Sequence, residues 1–431
     1  MAIFGALSTA RSGLVATGAS LSVIGNNIAN VNTVGFKGSR TDFADLLSAQ
    51  GGGGSAGKIG LGTRIGRISA AFTQGNIEST ARPTDLAIEG NGFFLVSNGD
   101  GNLFTRAGNF RLDSDGKLVT FQGLPVQGFS LNLLDQPVGA PRDIQVTGAS
   151  SQPRSTSSLS LKANLQADAP VIAGGFDNTS FDTAFATSNF TTSMNVFDSL
   201  GGKHTLNFFF TRTAENAWDY NVGVDAGETG GTPGDLAIVG GGTLGFNTDG
   251  SLNAVGTPTA TVTFSGAAAQ TITLDFGTPN TDPVNNPGQG IDGITQFAGP
   301  SSVSFQSQNG FGAGQLLNLE FSESGIVTGV FDNGQTRPLF QLALANFTAP
   351  DQLTPLGNGL FRESVDSGSP AIGTPQSGGL GNIVAGAVEQ SNVAIAQEFI
   401  DLISTQRSFQ ANARVITSSD SLLNDLINIV R

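Results

Sequence analysis

The chain changes character at its two ends. Residues 387–431 contain neither glycine nor proline, and residues 1–82 contain no proline, whereas the stretch between them is dense in both. In the C-terminal segment apolar residues return every seven positions, at Ile395, Leu402, Phe409, Ile416, Leu423 and Val430. A second row offset by four reads Phe399, Gln406, Ala413, Asp420 and Ile427. Such a 4,3 spacing is the seam of a helix that packs in coiled-coil fashion. Gln406 and Asp420 interrupt the second row, while Leu422 and Ile429 widen the first. At about 1.5 Å per residue the segment would make a helix on the order of 65 Å long. That is too long for a compact domain, so the seam requires a partner. The N-terminal segment carries a row at the same interval, Leu7, Leu14, Leu21 and Ile28, widened by Ile24 and Val31. Gly13, Gly18 and Gly25 each lower its helix propensity by roughly 1 kcal/mol relative to Ala, so this helix is marginal alone. The termini are therefore expected to pair, the alternative being two ordinary amphipathic helices docked on a globular core.

Between the ends the period falls to two. Leu206, Phe208 and Phe210 alternate with Asn207 and Phe209, and Ile272, Leu274 and Phe276 alternate with Thr273 and Asp275, the pattern of half-buried strands. Turn signals separate such runs at Gly90-Asn91-Gly92, Asp113-Ser114-Asp115-Gly116, Asp198-Ser199-Leu200-Gly201-Gly202 and Asp332-Asn333-Gly334. Gly51-Gly52-Gly53-Gly54-Ser55-Ala56-Gly57 reads as a flexible loop, and the cluster from Ser367 to Gly381 as a return linker. The expected fold class is multidomain, α plus all-β: paired N- and C-terminal coiled-coil-like helices with discontinuous β domains inserted between them.

Sites for chemistry are scarce. Gly53-Gly54-Ser55-Ala56-Gly57 fits the G-x-S-x-G string of serine hydrolases, but no apolar strand precedes it and His204 is the single candidate base. Asp113-Ser114-Asp115-Gly116 places its glycine at position 4, where an EF-hand needs it at 6, so it reads as a turn. Gly90-Asn91-Gly92 lacks the third glycine and the following helix of a dinucleotide fingerprint. A lone His204 next to Lys203 reads as structural or exposed, and Trp218 with Tyr220 as packing on one strand face. The reading is a non-enzyme with no catalytic, cofactor or metal residues and no cofactor.

Charged residues make up 13% of the chain against 60 glycines, and the formal charge is −14. Phosphate neutralisation needs clustered Lys and Arg, which argues against nucleic acid and against an anionic membrane. The absence of cysteine removes disulfides and thiolate chemistry. No apolar stretch approaches a membrane span, and the first basic residue is Arg11, unlike a secretory signal, so the chain is expected to be cytoplasmic or exported by a route that removes nothing.

The segment Gly25-Asn26-Asn27-Ile28-Ala29-Asn30-Val31-Asn32-Thr33-Val34-Gly35-Phe36-Lys37 closely resembles the N-terminal signature of the flagellar rod and hook axial proteins. Phe72-Thr73-Gln74-Gly75, Asp85 to Phe94 and Thr105-Arg106-Ala107-Gly108-Asn109-Phe110 resemble the next shared block. Gly386 to Val393 and Gln406-Arg407-Ser408-Phe409-Gln410-Ala411-Asn412 resemble the C-terminal block, with Ala394 standing where many members carry an acidic residue. Asn26, Asn27, Asn30, Asn32, Gly35, Phe36, Gln406, Arg407 and Asn412 carry the signature. Met194 to Leu206, followed by Phe208 to Thr213, resembles the outer β domain of hook members, an insertion that shorter rod members lack.

The resemblance implies a hook subunit that self-assembles into a curved, flexible helical tube transmitting torque from rod to filament. The alternatives are a distal rod protein of the basal body and, more remotely, a secreted β-rich adhesin. It implies residues 1–35 with 385–431 as an inner helical domain and 36–70 with 365–384 as a linker region. Residues 71–145 with 290–364 would be an inner β domain and 146–289 an outer one. Implied partners are further copies of the chain, the rod, the hook–filament junction protein, the hook cap and the flagellar export apparatus, at an extracellular hook attached to the basal body.

Overall fold

The computed structural model describes residues 2–47, 60–99, 101–132, 134–146, 148–286 and 288–429. Its α-helices are α1 (Ala2–Ala29), α2 (Phe181–Ala186) and α3 (Ile395–Ile429). The chain divides into two compact units, one of Met1–Ala149, Asn318–Val330 and Thr336–Arg431, the other of Ser150–Leu317 and Phe331–Gln335.

In the first unit α1 lies against α3 and against a long antiparallel hairpin, Ser39–Leu47 with Gly60–Ala70. Much of the segment expected to be a linker is thus regular structure. Its glycines and polar residues hide the strand pattern, because the strands are short of core-facing residues and rest on a helix instead. The expected Gly51–Gly57 loop and Ser55 lie outside the described residues. A six-stranded sheet runs in the order Thr354–Gly357, Leu360–Arg362, Asn102–Thr105, Phe93–Ser97, Leu344–Asn346, Ala371–Gly373. Phe93, Leu95, Phe104, Phe347 and Phe361 form its core with Phe72 packed on it. The rings meet edge to face, Phe104 and Phe347 with centroids 4.7 Å apart and planes at 87°, the arrangement that aligns ring edge with ring face.

The return towards α3 is also built from strands. Asn382–Ala385 pairs with Leu86–Glu89 and Ala387–Glu389 with Ile77–Ser79, both antiparallel. The Ser367–Gly381 stretch contains the edge strand Ala371–Gly373, which pairs with Leu344–Asn346. A chain rich in Gly, Ser and Pro is sufficient for a short edge strand, where side-chain packing contributes little.

The second unit is one nine-stranded sheet. Its path is Phe190–Phe197, Lys203–Ala214, Ala217–Asp225, Leu236–Phe246, Thr259–Val262, Gln270–Asp275, Ser158–Asn164, Ser302–Gln308, with Leu252–Val255 beside Leu236–Phe246. Ser158–Asn164 pairs parallel with Gln270–Asp275 and antiparallel with Ser302–Gln308. Residues 290–317, expected in the inner β domain, therefore belong here; Ile294 is part of this core. The alternating residues Leu206, Phe208, Phe210, Ile272, Leu274 and Phe276 are all buried, together with Trp218 and Tyr220. Tyr220 donates its hydroxyl to the carbonyls of Gly256 and Thr257 at 2.9 and 2.8 Å. Phe209, on the opposite face of its strand, is buried as well, covered by Phe176 and by Phe185 of α2. Ser180 starts α2 with a capping box to Thr183, which satisfies N–H groups that six residues of helix could not.

Phe210→Ala would leave a cavity in this core and is expected to destabilise the second unit by about 3–5 kcal/mol. Trp218, the one tryptophan of the chain, lies in the same core. Its fluorescence during urea unfolding measures that loss directly.

Candidate assembly interface

Helices α1 and α3 run antiparallel: Gly13 lies at Asn412, Gly18 at Phe409, and Asn27 at Glu398. The buried stripe of α1 is Ala10, Gly13, Ala16, Ser20, Ile24 and Asn27, whereas the row expected from periodicity, Leu7, Leu14, Leu21 and Ile28, is half-buried. Small residues let the backbones approach: a Cβ on Gly13 would stand 2.8 Å from Asn412 Nδ2. Gly13, which weakens α1 in isolation, is thus what admits α3 at this point, whereas a Cβ on Gly25 would meet nothing within 4 Å.

On α3 the residues of the expected first row differ in burial. Leu402, Phe409, Ile416 and Leu423 are half-buried along one face, Ile395 is exposed, and Val430 lies outside the described residues. The second row is corrected: the 4,3 pattern is completed by Glu398, Thr405, Asn412 and Ser419, offset by three, while Phe399, Gln406 and Asp420 are exposed and Ala413 is half-buried. The side chain of Ile427 is not described. Hydrophobicity alone could not find this row, because polar groups opposite a small-residue helix pack by size and by hydrogen bonding.

Asn27 shows how. Its amide Nδ2 donates to Ser39 O at 2.8 Å and to Glu398 Oε1 at 2.9 Å, and its Oδ1 accepts from Ser39 N at 2.9 Å. One side chain thereby ties α1, the hairpin and α3. Burial pushes the Glu398 carboxyl above its ordinary range, with the Asn27 amide opposing and Asp401 adding to the shift. Of the other signature residues, Asn30 donates to Asn26 O at 2.9 Å and closes the end of α1. Asn26, Asn32, Gln406 and Arg407 are exposed, and Phe36 is half-buried. Ala394 accepts the first helical bond of α3 from Glu398 N, so it stands at the N-cap, where an alanine side chain caps nothing.

Gly35 adopts φ +68°, and a Cβ there would lie 2.5 Å from Ala107 N, so a side chain is excluded. Its N–H donates to Glu389 O at 2.7 Å. Glu389 is at the centre of a solvent-free charge cluster that the periodicities do not reveal. Its Oε1 takes Lys37 Nζ at 2.6 Å and the N–H of Gly75 at 2.8 Å, and Arg106 Nε approaches Oε2 at 3.6 Å. Lys37 Nζ also donates to Thr73 O at 2.7 Å, and Arg106 Nη2 to Gly90 O at 2.6 Å. Burial pushes the Lys37 ammonium and the Arg106 guanidinium below their ordinary ranges, against the pull of Glu389. The available signal was chemical: three charges standing in the resembling blocks of a chain with few charges. Glu389→Leu, which strands two buried cations, is expected to cost the first unit about 3–5 kcal/mol. Urea unfolding followed by far-ultraviolet circular dichroism should shift, with the Trp218 transition unmoved.

Four family models match in chain order. They are the flagella basal body rod protein model over residues 7–37, the flagellar hook protein FlgE/F/G D1 domain over 87–164, the flagellar basal body protein FlaE D2 domain over 164–311, and the flagellar basal body rod FlgEFG protein C-terminal model over 384–429. The flagellar hook protein FlgE of Salmonella typhimurium is 33% identical over 428 residues, 98% of this chain and 99% of that one. That of Borreliella burgdorferi is 33% identical over 444 residues, 95% and 96% of the two chains, and that of Escherichia coli 32% over 431, 98% and 100%. Since the similarity runs through both helical ends and the whole β-rich middle, the chain belongs to the flagellar hook protein FlgE family.

Proposed function

We propose that this chain is the structural subunit of the flagellar hook, joining copies of itself into a curved, flexible tube that carries torque from rod to filament. Beside the end-to-end kinship, one observation carries the reading: α3 is apolar on two opposite faces. One face meets α1. The other presents Ile400, Ile403, Val415 and Leu422, exposed by 60, 48, 44 and 57%, of which Ile400 and Ile403 line a groove together with Arg407 and Ala411. An apolar stripe of that length on a helix is a surface for another protein, and a tube built from one kind of subunit supplies it from a neighbouring copy.

In this reading α1 and α3 are the coiled-coil-like inner layer of the tube, and the seam residues from Leu7 to Ile28 and from Ile395 to Val430 are divided between the pair within a subunit and contacts to its neighbours. The strands Ser39–Leu47 and Gly60–Ala70 accompany that layer, and residues 150–317 supply the outer β domain that the family resemblance implies. The polar, sparsely charged surface of the outer layer suits weak, wet contacts that slide as the tube bends. The remaining partners in the proposal are the rod at the proximal end, the junction protein at the distal end, a cap during growth and the export apparatus, the last delivering the chain to an extracellular hook without removing a signal peptide. A distal rod subunit is the second reading. The match of the D2 model to residues 164–311 supports the hook.

Three substitutions separate the faces of α3. Leu402→Asp or Phe409→Asp places a carboxylate in the α1 pair, whereas Ile403→Asp places one on the open face. All three are expected to raise the concentration needed for tube formation by more than about tenfold, since burying a charge costs more than about 1.4 kcal/mol. Ile403→Asp should leave the helix signal of the lone subunit unchanged. Electron microscopy under polymerising conditions reads the outcome, and normal tubes from Ile403→Asp would remove the open face from the interface.

A further inference from the structure

Among the described residues, two apolar surfaces of the first unit are left open, and they lie on opposite sides of the α1–α3 pair. One is the outward face of α3, where Phe399, Ile400 and Ile403 stand together on the first turns, exposed by 49, 60 and 48%. The other is a groove of about 520 Å³ between α1 and the strands Ser39–Leu47 and Gly60–Ala70. Leu7, Val15 and Ala16 of α1 form one wall and Leu46 and Ile65 the other, and Val15 is 63% exposed. Ser12 joins the walls. Its hydroxyl accepts from Thr63 N at 3.1 Å, and Gly62, at φ +104°, leaves the room that a Cβ would take from it.

Helical geometry sets the two surfaces apart. Gly13 and Asn412 mark the contact between the helices. At about 100° per residue, Val15 stands about 200° around α1 from Gly13, and Ile403 about 180° around α3 from Asn412. The groove and the ridge of one subunit therefore face away from each other, and they can meet only between copies. Such a contact joins two unlike faces: a copy that offers its ridge to one neighbour still offers its groove to another, so the series extends from copy to copy. The charges agree with this pairing. The described charged residues lining the groove are Arg11 and Arg64. The first turns of α3 carry Glu398 and Asp401, of which Asp401 is exposed, and the first cation of the helix is Arg407, one turn beyond Ile403.

We propose that the groove between α1 and the two strands is the seat for a second copy of the chain, taking Phe399, Ile400 and Ile403 of that copy's α3, with its Asp401 facing Arg11 and Arg64. The inference rests on the hook-subunit reading and names the surface that receives the open face of α3. Seating the three side chains removes apolar surface from water, which drives the contact, while the charges at the rim orient it.

The chain contains no cysteine, so introduced thiols report this contact alone. Val15→Cys subunits mixed with Ile403→Cys subunits, assembled into tubes and then oxidised, should give covalent dimers, and the double variant should give a ladder of longer chains. Each single variant alone should stay monomeric on a non-reducing gel. A link within one subunit is excluded, because the two positions face apart and a disulfide needs Cα atoms within about 7 Å. Tubes whose mixed subunits stay unlinked would overturn the seat and leave the hook reading standing. Dimers from a single variant would mean that like faces meet, and would overturn it too. A natural chain that forms no tubes removes the hook reading, and the seat with it. Should the cysteine variants fail to assemble, Val15→Asp decides. It is expected to raise the concentration needed for tubes by more than about tenfold with the helix signal of the lone subunit unchanged, and normal tubes from it would remove the groove from the interface.

Discussion

A carboxylate with no water around it organises the first unit. Glu389 comes six positions before α3 begins, and Lys37 eight after α1 ends. Their 2.6 Å contact ties the segment that follows α1 to the segment that precedes α3. Taking such charges out of water costs several kcal/mol per ion and is offset only by close, well-directed partners. Here the directed partners are the Gly75 N–H and the Thr73 and Gly90 carbonyls, while the Arg106 guanidinium, 3.6 Å from Glu389 Oε2, contributes charge without a hydrogen bond to it. Since few arrangements satisfy all of them, the cluster specifies one placement. Asn27 then meets Glu398, Gly18 meets Phe409 and Gly13 meets Asn412 because the helix ends are already positioned.

Within that frame the two helices divide the work unequally. Four of the six residues in the buried stripe of α1 are Ala, Gly or Ser, with Ile24 and Asn27 completing it, which gives close approach but little apolar area; the helix is held between α3 and the hairpin. Helix α3 has large apolar residues left over on the face away from α1. A subunit built this way is complete in its β units and incomplete along one helix, which is the property a self-assembling tube requires.

The second unit is stabilised differently. Its core is aromatic and closed, with strand Lys203–Ala214 buried on both faces by the sheet interior and by α2. Its polar devices sit at the edges: the Tyr220 hydroxyl on two carbonyls and the His204 ring between two carboxylates.

How much of this was legible follows from what one-dimensional patterns can carry. Periodicity located both terminal helices, the first seam row through Leu402, Phe409, Ile416 and Leu423, and the inward residues of strands 206–210 and 272–276, because each depends on apolar side chains recurring at a geometric interval. It missed the strands Ser39–Leu47 and Gly60–Ala70, which pair with each other and rest on α1, and the strands Asn382–Ala385 and Ala387–Glu389, whose partners lie far away in the chain. It chose Phe399 over Glu398 for the second row, since a hydrophobic criterion cannot see that the opposing helix is lined with Gly, Ala and Ser. By itself, then, the sequence determined where the helices and core strands are and which family the chain joins. Only the tertiary structure decided which polar groups are buried together, because Lys37, Arg106 and Glu389, or His204, Asp198 and Glu228, acquire their meaning from proximity in space, and no local spacing encodes it.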